Sequence, residues 1–139
     1  MNKNQYRYII ASLIIATLGS GHVLIEFFSP WIVEKPYPQF YHTVTNFKLN
    51  MFGFTRSYEE FRKGFSLTMG VFMIAFGGFN FIVSKKSFGA IQSHPVLSLF
   101  NALLSLTVCI LSILFFHWPP IIFFFIAFIL YLWVFISIR

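Results

Sequence analysis

Four stretches of this 139-residue chain are each long and apolar enough to cross a bilayer, and nothing else in it constrains the fold as strongly. A helix needs about 20 mostly apolar residues to span the hydrocarbon. The four stretches cover about 8–28, 64–83, 96–116 and 120–138. An open sheet edge would leave backbone groups unpaired in lipid, so all four are expected to be helices. The expected fold class is therefore all-α, a multi-pass membrane four-helix bundle forming a single domain. Composition agrees. Hydrophobic residues make up 58% and charged residues 10%, with 21 phenylalanines and a mean hydropathy of +0.76. A soluble domain carries about 25% charged residues.

Local signals place the helix ends. Lys3 and Arg7 before the first apolar run, with Gly19 and Gly21 inside it, resemble a secretory signal. The run continues to Phe28, however, beyond the length of a signal core, so a retained helix is the reading adopted. Ser29–Pro30 marks its end. Ser57 and Glu60 have the S-x-x-E spacing of a capping box, which starts the second helix near Tyr58. Pro95 and Pro119–Pro120 stand where the third and fourth helices begin, a position that loses no helical hydrogen bond. The short link His117-Trp118-Pro119-Pro120 makes the last two helices antiparallel neighbours.

The long first link is expected to hold further structure. Phe40, Val44, Phe47, Met51 and Phe54 recur at spacings of four and three, with His42, Thr43, Thr45, Asn46, Lys48 and Asn50 between them. That pattern predicts an additional amphipathic helix over about 38–52, lying at the membrane interface or packed on the protein, with Gly53 ending it.

The formal net charge is +6, from ten Lys and Arg against four Glu. The cations sit in small groups flanking apolar runs, so anionic lipid headgroups are the expected partner and nucleic acid is not. Lys3, Arg7, Lys85, Lys86 and Arg139 fall on one side of a four-span topology. Lys35, Lys48, Arg56, Arg62 and Lys63 fall on the other, beside Glu34, Glu59 and Glu60. The uncharged third link breaks the tie and places both termini in the cytoplasm. The single cysteine, Cys109, lies within an apolar run and reads as a packed small residue.

Small and polar residues gather on one face of each of the first three helices. These faces carry Ser12, Gly19, His22 and Glu26 on the first, Ser66, Gly70, Met73, Gly77 and Asn80 on the second, and Ser98, Asn101, Ser105 and Ser112 on the third. Small residues allow membrane helices to approach closely, and polar ones bond across the contact. The fourth helix offers only Ala127, Tyr131 and Ser137 and is expected to face lipid most. Antiparallel order sorts the polar residues by depth. Ser12, Asn80 and Asn101 form one layer, expected to be structural through interhelical bonds worth about 0.6 kcal/mol each.

His22, Glu26, Ser66, Gly70 and Ser112 form the second layer, a candidate polar pocket. An ionisable group within a span is a functional candidate by default. His22 and Glu26 lie one turn apart, and Gly70 is expected to leave room for a ligand or water. The contrary reading has Glu26 reach water or pair with a cation such as Lys35. No metal is expected; His22, Glu26, His42 and His117 form the alternative ligand set. No nucleophile–base pair, paired carboxylates or catalytic motif is present, and no cofactor is expected.

Leu18-Gly19-Ser20-Gly21-His22-Val23-Leu24, together with Phe61-Arg62-Lys63-Gly64-Phe65-Ser66-Leu67-Thr68-Met69-Gly70, resembles a family of small four-helix bacterial integral membrane proteins. That family has no agreed activity, so the resemblance implies topology and a bacterial inner membrane, and nothing catalytic. A glutamate in the first of four helices is also similar to the small multidrug transporters. Here it lies near the helix end, and the first link is far longer.

Two functional readings follow. The first is a non-enzymatic binding, structural or assembly component of the cytoplasmic membrane. The second is a transporter or small membrane enzyme whose His22 and Glu26 handle protons beside a bound lipid, quinone-like molecule, other small apolar ligand or ion. Self-association into a homo-oligomer is compatible with both. The topology is testable directly: reporter fusions at both termini are expected to report the cytoplasm, and a periplasmic signal from either one contradicts the assignment.

Overall fold

Apolar runs interrupted by few helix breakers give four helices long and apolar enough to cross a membrane: α1 (Lys3–Ser29), α3 (Tyr58–Lys86), α5 (Val96–Phe115) and α6 (Trp118–Ile138). The structure, a computed structural model, describes residues 1–29, 37–116 and 118–139, leaving aside the side chain of residue 51. The Ser29–Pro30 stop, Lys35 and His117 thus fall wholly or partly outside the described residues. The shorter elements are α2 (Pro38–Asn46), the strands β1 (Lys48–Met51) and β2 (Phe54–Ser57), and α4 (Phe88–Ser93).

The Ser57–Glu60 capping box forms in both directions. The Ser57 amide donates to Glu60 Oε2 at 2.8 Å, and the Glu60 amide donates to Ser57 Oγ at 3.1 Å. Two of the otherwise unpaired groups at the start of α3 are thereby satisfied, which fixes where it begins.

The expected helix over 38–52 is corrected. α2 stops at Asn46, and Lys48–Met51 pairs antiparallel with Phe54–Ser57, Lys48 opposite Ser57 and Met51 opposite Phe54. Phe47, Leu49 and Met51 alternate with Lys48 and Asn50, so the same residues carry a strand period as well as a helix period. The turn decides between them. Phe52 and Gly53 both have positive φ, 53° and 84°, as a two-residue hairpin turn requires and a right-handed helix forbids.

The chain divides into two compact units. The first comprises Met1–Leu18 and Met73–Arg139; the second is Gly19–Phe72. In the first unit, residues of α1, α3, α5 and α6 surround a core that includes Tyr8, Ile15, Ala102, Phe124, Ala127, Tyr131 and Val134. Phe88 and Ile91 of the unforeseen α4 close over it. Burial on α6 follows Pro120, Phe124, Ala127, Tyr131 and Val134, one stripe at helical spacing.

The distribution of polarity is inverted relative to a protein folded against water. Ser12, Ser84 and Ser98 are fully buried, whereas Phe79, Leu114 and Ile136 are each about two-thirds exposed. Single exposed apolar residues carry little information, but buried polar residues beside long exposed apolar faces do.

Gly77 sets the closest approach of α1 and α3 in this unit. A Cβ built there would lie 2.6 Å from the Ser12 carbonyl oxygen and 2.7 Å from the Ala16 nitrogen. Both are backbone atoms, so no side-chain rotation relieves the clash. The neighbouring Gly78 has nothing within 4 Å of such a Cβ. Gly77→Ala is expected to destabilise the protein by about 1–3 kcal/mol. Gly78→Ala is expected to be neutral or stabilising by up to roughly 1 kcal/mol through helix propensity. Thermal unfolding of the two variants in detergent micelles checks this contrast; equal behaviour would contradict it.

Candidate functional site

In the second unit, α1 from Gly19 onward meets the start of α3 in antiparallel register, with contacts at successive turns. Gly70 is tightest: a Cβ there would lie 2.7 Å from Val23 Cγ2, 3.0 Å from the Gly19 carbonyl oxygen and 3.3 Å from His22 Cβ. One turn away, His22 Nδ1 and Ser66 Oγ are 3.2 Å apart. Another turn on, Arg62 reaches Glu26.

That last contact is a bidentate ion pair. Arg62 donates through its two terminal nitrogens to both Glu26 oxygens, at 2.9 and 3.1 Å. It also donates to both Glu59 oxygens, at 2.9 Å from Nε and 2.8 Å from a terminal nitrogen. The planar guanidinium presents its donors in a rigid fork matching carboxylate geometry, which a lysine ammonium lacks. The Glu26 side chain is 4% exposed, that of Glu59 15% and that of Arg62 39%. The buried carboxylate is thus neutralised at its one deep position, while Arg62 keeps an edge outside.

Three expectations about this layer are thereby revised or refined. The space at Gly70 is occupied by α1 itself, because a residue without a Cβ lets the two backbones close up. Glu26 pairs with a cation, as the contrary reading held, and among the described residues that cation is Arg62; Lys35 lies outside them. Ser112 belongs to the first unit, where it is buried and donates to the Val108 carbonyl at 2.7 Å.

Of the other predicted group, Asn80 and Asn101 bond to each other, whereas Ser12 bonds to Tyr8 and Tyr131. Asn101 Nδ2 donates to Asn80 Oδ1 at 2.7 Å, and the Tyr8 hydroxyl donates to the same oxygen at 2.7 Å. Asn101 also donates to the Tyr8 hydroxyl. Ser12 Oγ spends its proton on the Tyr8 carbonyl at 2.8 Å, so the Tyr131 hydroxyl, 3.1 Å away, donates to Ser12. Ser98 donates to the Tyr131 carbonyl at 2.8 Å. All these residues lie in the first unit.

Tyr8, Tyr131, Arg62 and Glu59 are the participants that sequence reasoning missed. Signals for them existed. Tyr8 lies four residues before Ser12 and Tyr131 four after Ala127, each on the face already marked as polar or small. Arg62 lies four before Ser66 and eight before Gly70, on the α3 face that meets α1.

A guanidinium stays protonated in proteins, so Arg62 neither supplies nor accepts a proton for Glu26. Among the described residues, no three His, Cys, Asp or Glu side chains gather as metal ligands. His42 sits exposed on α2, apart from any such group, and His117 lies outside the described residues. No protein-family model matches the chain, and comparison with curated proteins and with solved structures finds none similar to it.

The triad predicts asymmetric mutational costs. Arg62→Met takes the guanidinium away from two carboxylates, one of them buried. Breaking a fully buried pair costs about 3–5 kcal/mol; partial exposure of Arg62 lowers the expected loss to about 2–3 kcal/mol. Glu26→Gln removes the buried charge and leaves Arg62 paired with Glu59, so a loss of about 1 kcal/mol or less is expected. Thermal unfolding in micelles measures both, and a larger loss for Glu26→Gln would refute the arrangement.

Proposed function

We propose that this protein is a non-enzymatic, multi-pass integral membrane protein of the bacterial cytoplasmic membrane, a structural or assembly component with both termini in the cytoplasm. The observation that carries the reading is the engagement of Glu26 by Arg62. The ionisable residue best suited to proton or ligand chemistry is committed to a bidentate ion pair. The close approach at Gly70 favours packing over a cavity at the same face. Four membrane-length helices with exposed apolar faces support the lipid location.

The partners on this reading are the bilayer, its anionic headgroups beside the basic flanks, and other protein surfaces met within the membrane. A pocket protein using His22 and Glu26 would need space beside those groups, and the tight face at Gly70 argues against it.

The test is native mass spectrometry of the full chain released from lipid nanodiscs, wild type beside Glu26→Gln. Phospholipid adducts alone, unchanged by the substitution, are the expected result. A stoichiometric non-lipid molecule or metal that is retained by the wild type and lost in Glu26→Gln would overturn the reading in favour of a ligand site.

A further inference from the structure

The hairpin β1–β2 is unusual at its tip. Two-residue hairpin turns with positive φ at both central positions favour Asn-Gly or Asp-Gly, because those residues enter the left-handed region most readily. Here the pair is Phe52-Gly53, and Phe52 has φ 53°. A bulky aromatic residue in that region is an outlier, and such outliers concentrate where function holds them. Phe52 gains nothing from packing on the described chain, since it is 96% exposed. Phe54, one residue beyond the turn, is 71% exposed.

Charge is distributed in the opposite sense. The tip residues 51–55 carry no charged side chain. Lys48 and Arg56, both exposed, stand at the base of the hairpin, with Glu60 of the capping box close enough to feel both. Three residues of strand, roughly 10 Å at about 3.4 Å each, separate Gly53 from Arg56. Interfacial segments bury their apolar faces by a comparable depth, about 5–10 Å, and leave their cations among the headgroups. β2 runs directly into α3, one of the four membrane-length helices, through the capped Ser57–Tyr58 junction. The base of the hairpin is therefore tied to the end of a spanning segment. A two-stranded ribbon is marginal alone in water and gains from a surface that covers its apolar tip.

From these observations we infer that the β1–β2 hairpin is an interfacial wedge. Phe52 and Phe54 enter the acyl–headgroup boundary of the bilayer that α3 crosses, and Lys48 and Arg56 engage anionic headgroups. The inference rests on the membrane reading above and adds a specific lipid-contacting element to it.

The test uses the full chain in vesicles of mixed phosphatidylglycerol and phosphatidylcholine, with Cys109→Ala so that one introduced cysteine carries a spin label. Phe52→Cys is compared with Thr55→Cys. The label at 52 is expected to collide severalfold more with oxygen, relative to a water-soluble nickel chelate, than the label at 55. Phe52→Asn, with the label at Phe54→Cys, offers an independent check. It should lower oxygen access at 54 while leaving thermal stability in micelles unchanged or higher, because Asn suits the turn. Nickel access at 52 equal to that at 55 overturns the wedge, as does shielding of 52 from both reagents, which would indicate a protein partner or a second copy. Alkaline carbonate extraction separates the two claims: release of the protein sinks the membrane reading, whereas retention with a water-exposed Phe52 position sinks the wedge alone.

Discussion

The Tyr8 hydroxyl is the point on which the first unit depends. It donates to Asn80 and accepts from Asn101, while Asn101 donates to Asn80, so three helices share one closed set of hydrogen bonds. In an apolar interior each of these groups would cost free energy if left unpaired, about 1–3 kcal/mol for a neutral donor or acceptor. That penalty makes the arrangement selective. A rotation of α3 or α5 would strand an amide, whereas a purely apolar seam would tolerate many rotations. Tyr131 ties α6 to the set through Ser12 and Ser98, and it packs edge-on against Tyr8 with ring centroids 4.8 Å apart. The gain is less in net stability than in the choice of one packing among several.

Glycine and charge divide the work between α1 and α3. At Gly77 the missing Cβ brings backbone atoms to a distance that any larger residue would prevent, and at Gly70 it makes room for the Val23 side chain and the Gly19 carbonyl. Dispersion is the main attraction available between apolar helices surrounded by lipid, and it is short-ranged, so close approach is where it is gained. In the second unit Arg62 then fixes register. Its fork matches Glu26 on one side and Glu59 on the other, and a slip of one turn would break the bidentate contact to the buried carboxylate.

What the sequence revealed and what it concealed have physical causes. Four membrane-length helices were legible because spans of about 20 apolar residues have few alternative folds. The capping box was legible because it is local, four residues whose side chains reach only their own backbone. The partner of Glu26 was not, since Arg62 is 36 residues away and pairing depends on the register of two helices. The hairpin was hidden for a different reason. Phe47, Leu49 and Met51 fit both periods, and the deciding residue, Phe52, is a poor turn former by type. Gly53 was recognised as an interruption, but the turn it builds needs the left-handed conformation of its neighbour as well.

The many buried serines invite a reading as the lining of a polar conduit, and the hydrogen bonds argue against it. Ser12, Ser105 and Ser112 each donate to the carbonyl four residues earlier in their own helix, and Ser98 donates across to α6. A hydroxyl satisfied in this way presents little unmet polarity to its surroundings, and the side chain then acts as a small residue that admits a neighbouring helix. Among the described residues no buried side-chain nitrogen or oxygen lacks a partner. A water-filled path would instead require donors or acceptors directed into open space, because each ordered water needs two to four polar partners of its own, about three on average. The polar face of α5 is therefore better understood as a packing seam whose hydroxyls are satisfied by backbone carbonyls of α5 and α6. The same logic extends to α6, where Ala127 and Tyr131 occupy the buried stripe amid large residues that point outward.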